Sequence, residues 1–158
     1  MLAFVSTPHP ARVIPLVRTL EAAGYAIATD QYCFDDFSCA RISCHVPERL
    51  LGEIELSPYD IVIIGLADLP LGVDAPRQID TDRCALLVRA ASLHTLVTVV
   101  AREVDYMSVA RAITGSGISD QWRLELAGWA LHVASIWLCD ASQCMRRKLS
   151  NPAVVAAA

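Results

Sequence analysis

The segment Ser57-Pro-Tyr-Asp-Ile-Val-Ile-Ile-Gly65 constrains the fold more than any other stretch of the chain. Ile61 to Ile64 is wholly apolar and dominated by β-branched residues, with no alternation. A strand of that kind belongs in the middle of a parallel sheet, where both faces are covered. Leu2 to Val5, Tyr25 to Thr29 and Leu96 to Ala101 are similar short runs. Between them lie segments with helical spacing. Val13, Leu16, Val17 and Leu20 form one set, closed by Gly24, and Pro10 suits the first turn. Pro15, inside that set, is expected to kink the helix or delay its start. Pro47 to Glu55, Arg83 to Ser92 and Glu103 to Thr114 give further helices, and 31 to 45 reads as the least regular part. Strands alternating with helices through short connections predict a doubly wound parallel α/β sheet in three layers.

After Gly117 the pattern changes. Trp122-Arg-Leu-Glu-Leu and Trp129-Ala-Leu-His-Val alternate, and Ile136-Trp-Leu-Cys139 follows. This period of two predicts an antiparallel meander, with Ser142 capping a short helix through Leu149. The expected division is therefore an α/β domain over 1–117 and a small β-plus-helix extension over 118–158.

Composition excludes several function classes. No apolar run among the 158 residues approaches a membrane span, and Met1 to Arg12 lacks the basic start and apolar core of a signal peptide. The formal charge of −4 argues against a broad nucleic-acid face, although Arg146, Arg147 and Lys148 are clustered. The six cysteines include no C-x-x-C pair, and Cys33, Cys39, Cys44 and His45 match no standard zinc spacing. They read as reduced thiols of a cytoplasmic protein. There is no G-x-x-x-x-G-K-[ST], and Gly115-Ser-Gly117 follows a helix rather than a strand. No metal or cofactor is expected.

Three stretches carry a resemblance. "PARVIPLVRTLEAAGY", "YDIVIIGLADLP" and "LVRAASLHTLVTVVARE" resemble the first helix, the third strand, and the following helix with the fourth strand of receiver domains. "WRLELAGWALHV" with "LSNPAVV" resembles the opening of a winged helix. The chain thus resembles an OmpR-like response regulator of two-component signalling, which implies a CheY-like (flavodoxin-like) fold and a role in transcription regulation. The resemblance also implies a phosphoacceptor pocket, and its positions here carry no suitable chemistry. Gly65 stands where the acceptor aspartate belongs, Thr7 and Pro8 where the acids that hold Mg²⁺ belong, and Val100 where a Ser or Thr belongs. No counterpart of the family's lysine follows.

The expectation is a degenerate, phosphorylation-independent receiver, with no catalytic residue, that works through a protein partner or as a homodimer. DNA binding is expected to be weak or absent, because little chain remains for a recognition helix. A receiver-like body without its fifth helix would leave one sheet face open. Trp122, Trp129 and Trp137 are the candidates to cover it or to form an interface, and burial of all three in the core is the competing reading. An unrelated α/β domain with enzymatic activity is the alternative. "SDQWRLEL" resembles the glutamate-bearing stretch of TIR-type NAD hydrolases, with Glu125 as the acid.

Overall fold

The computed structural model describes residues 1–48, 55–56, 58–69 and 81–149. It holds five strands, β1 Leu2–Ser6, β2 Ala26–Thr29, β3 Cys44–His45, β4 Ile61–Ile64 and β5 Thr98–Val100. Five α-helices accompany them among the described residues: α1 Pro10–Ala22, α2 Gln31–Cys39, α3 Thr81–Ser92, α4 Tyr106–Thr114 and α5 Asp120–Leu149. All pairings are parallel and the sheet order is β3-β2-β1-β4-β5. Strands β2-β1-β4-β5 give the first four places of the flavodoxin-like order, and the two-residue β3 adds an edge beyond β2.

The buried apolar strand residues alternate between two cores. Phe4, Ala28, Val62, Ile64 and Val99 face α3 and α5, whereas Ala3, Val5, Ile27, Ile63 and Val100 face α1, α2 and α4. This is why Ile61–Ile64 is apolar without interruption: each side chain enters one of two dry layers. α1 starts at Pro10 and continues through Pro15 as one helix, so its start is not delayed. The donor that Pro15 lacks would have bonded Ala11, and both residues lie on the exposed side where solvent serves the freed carbonyl. Residues 31 to 45 are more regular than expected. Asp30 caps α2 by accepting the Cys33 amide at 2.9 Å, and β3 follows. The expected helix from Pro47 falls largely outside the described residues, as do 70–80 of the loop before α3 and the stop at Asn151-Pro152.

The C-terminal expectation is corrected. Residues 120–149 form a single 30-residue helix, with neither a meander nor the start of a winged helix. α5 packs along α3 and β5, so 118–149 belongs to the same body as 1–117 and the proposed domain boundary does not exist. The sheet face expected to lie open is covered by this helix. Its buried side is built from Ala127, Ala130, Ala134 and Ala141 with Leu126, Trp137 and Cys144. Small side chains there let α5 lie close to α3; the Cys84 thiol sits 4.0 Å from the Ala134 carbonyl oxygen. No described helix is long and apolar enough to cross a membrane.

Candidate functional site at the carboxyl edge of the sheet

In an open α/β sheet, ligands and chemistry collect beyond the carboxyl ends of the strands, where successive connections leave in opposite directions. That switch point lies between β1 and β4. Ser6 pairs with Ile64 at the last rung, so Thr7 and Gly65 stand side by side just beyond it. The Gly65 amide donates to the Ser6 carbonyl at 2.9 Å, holding the two exits together. A Cβ on Gly65 would stand 2.5 Å from Thr7 Oγ1 and 3.1 Å from Pro8 Cδ. The strand ends on glycine because the Thr7 side chain occupies the space. The structure therefore brings Gly65, Thr7 and Pro8 together. Val100 is not among them: it is fully buried with Tyr106 and Val109 in the layer beneath α1 and α4.

Beside this contact lies a polar bridge that sequence reasoning missed. Ser6 Oγ donates to Asp30 Oδ2 at 2.6 Å. Arg83, from the first turn of α3, donates through Nε to Ser6 Oγ and through Nη2 to Asp30 Oδ2, both at 2.8 Å. The Arg83 and Asp30 side chains are only 11% and 8% exposed. Burial pushes the Asp30 carboxyl up, but the hydrogen bonds from Ser6, Arg83 and the Cys33 amide outweigh it and hold the group below its ordinary value. The Arg83 guanidinium also lies 5.3 Å from the centre of the Tyr32 ring. Ser6 and Arg83 are 77 residues apart, so only the fold unites them. Asp30 alone left a local signal, as a short acid at a strand-to-helix junction.

The bridge joins α3, on one face of the sheet, to the N-terminus of α2 on the other. Its groups are committed to each other. Cys33 is no better placed as a nucleophile. Its thiol donates to the Thr7 carbonyl at 3.3 Å and receives the Thr7 amide at 3.4 Å, and burial raises its pKa to about 12. Asp68 is exposed in the loop beyond β4. Among the described residues no group of three His, Cys, Asp or Glu side chains is placed to hold a metal ion.

The three tryptophans part company. Trp137 is 7% exposed, and its Nε1 donates to the Ala67 carbonyl at 3.0 Å, tying α5 to the loop after β4. It is core, which corrects its assignment to an interface. Trp122 is half-buried against the α1/α4 layer. Trp129 is on the surface, with the Arg102 guanidinium stacked 3.8 Å from its ring centre and His132 at its edge. Glu125 is exposed on α5, where Gln121 Nε2 donates to it at 3.5 Å.

No family model matches this chain, and no curated protein matches it. Among solved structures, one described as the crystal structure of ForH covers 92% of this chain and 98% of its own, with a TM-score of 0.74 and 19% identity. That likeness shows the fold.

Proposed function

We propose that this chain is a cytoplasmic, phosphorylation-independent module of the receiver type, serving signal transduction and transcription control by docking onto protein. The observation that carries this reading is an uncovered apolar flank on α5, where Leu124, Leu131, Leu138 and Met145 are each about half exposed. A row of half-exposed large apolar side chains beside a buried helix face is a costly surface for a monomer and suits an interaction site. Two further observations support it. The position equivalent to the receiver's acceptor has no room for a side chain, because Thr7 fills it. The nearest acid to that contact with a defined role, Asp30, is neutralised by Arg83. All six thiols are free, in keeping with a reducing compartment.

The test is incubation with acetyl phosphate and Mg²⁺, read by intact mass and by melting temperature. An unchanged mass and an unchanged melting temperature are expected. A phosphoryl adduct mapped to Asp68 or Asp30 would overturn the reading.

A further inference from the structure

We propose that the partner on this flank is a second copy of the chain, paired through antiparallel α5 helices about a two-fold axis. This rests on the protein-docking reading above and names its occupant. Leu124, Leu131, Leu138 and Met145 recur every seven residues and are 56%, 45%, 50% and 50% exposed. A seven-residue repeat keeps a stripe on one seam of a helix, drifting about 20° per repeat. Four residues after each leucine stands a small one: Gly128, Ser135 and Ser142. Nothing lies within 4 Å of where a Cβ on Gly128 would be. Large and small side chains therefore alternate along the seam, the pattern by which one helix surface interlocks with another.

The spacing selects the antiparallel arrangement. With Leu131 placed opposite Ser135 of the second copy, Leu138 falls opposite Gly128 and Leu124 opposite Ser142. Every leucine then meets a small residue, and both copies make the same contacts, so the pair closes on itself. The same register sets Asp120, at the N-terminus of α5 and already ion-paired with Arg123 on its own helix, opposite Arg146, near its C-terminus, so that the Asp120 carboxylate would be shared between the two arginines, and it aligns the helix dipoles favourably. A parallel in-register pair would set leucine against leucine, Asp120 against Asp120 and Arg146 against Arg146. The other flank is less suited, because Arg102 already covers Trp129.

A seam from 124 to 145 is ~32 Å long and covers roughly 400 Å² per copy. That is below the roughly 800 Å² per partner of a standard interface, so a weak, concentration-dependent dimer is expected. Sedimentation equilibrium from about 5 to about 500 µM spans the expected micromolar range. The apparent mass should climb from one chain towards two. Leu131→Glu should hold the protein at one chain throughout, with its melting temperature kept within a few degrees because the residue is exposed. Asp120→Arg and Arg146→Asp should each weaken association severalfold, and the double swap in one chain should restore it. A wild-type protein that stays monomeric at the top concentration would overturn self-pairing. So would undiminished association in Leu131→Glu, or a double swap no better than the single changes. Monomeric wild type with no phosphoryl uptake removes only the second copy as occupant, whereas phosphoryl uptake removes the docking reading itself.

Discussion

Gly65→Ala tests the central steric claim with one methyl group. The new Cβ would lie 2.5 Å from Thr7 Oγ1, with Thr7 Cβ and Pro8 Cδ each at 3.1 Å. The backbone cannot simply back away, since the Gly65 amide is bonded to the Ser6 carbonyl and β4 is flanked by β1 and β5. Overpacking of this kind costs about 1–3 kcal/mol. Restricting the unfolded chain by Gly→Ala returns about 0.4–1 kcal/mol, leaving a net loss of roughly 1–2 kcal/mol. That corresponds to roughly 3–6 °C in Tm for a domain of this size. Thr7→Ala removes the clashing oxygen, and by itself costs about 1 kcal/mol, because Thr7 Oγ1 accepts the His9 amide at 3.3 Å. In the double variant the clash largely disappears, so the two losses should fall short of their sum by about 1 kcal/mol. Thr7→Ser keeps the oxygen and should give no such relief. Urea unfolding of the wild type, the two alanine variants and their double, with unchanged m-values, measures the coupling. A Gly65→Ala protein as stable as the wild type, or strict additivity with Thr7→Ala, would refute the reasoning and would reopen the site to a carboxylate.

Two further outcomes follow from the Ser6–Asp30–Arg83 bridge. Arg83→Met leaves Asp30 buried without its cation and should cost about 3–5 kcal/mol, whereas adding Asp30→Asn should recover part of that loss, as urea titrations of both proteins would show. Because the folded-state pKa of Asp30 is depressed, its contribution is complete above the unfolded value of about 3.9 and fades as pH falls through the lower folded value. Stability measured between about pH 6 and pH 2.5 should therefore fall less steeply at the acid end in Asp30→Asn than in the wild type; equal slopes would show that the carboxylate is not held by this bridge.

What the sequence alone determined is the layered sheet. Ile61–Ile64, Leu2–Ser6 and the helical set Val13, Leu16, Val17 and Leu20 carry their burial in their residue types, because strand and helix periods are local properties. The absence of a carboxylate at position 65 was equally legible, but its cause was not: the Thr7 side chain fills the space, and Thr7 lies on a different strand exit. α5 was misread for a physical reason. Most of its buried positions are alanines, suited to the close approach to α3, while four of its large apolar residues, Leu124, Leu131, Ile136 and Leu138, lie half exposed. Hydrophobicity and burial are thus uncoupled along this helix, and pairs such as Trp122/Leu124 and Trp129/Leu131 mimic a period of two. Tertiary structure also decided which tryptophan is core, since only the path of α5 past the exit of β4 brings Trp137 to the Ala67 carbonyl. The polar bridge is its decision too. Ser6, Asp30 and Arg83 belong to a strand, a helix cap and a helix on opposite faces, and no local pattern records that a switch point will draw them within 3 Å.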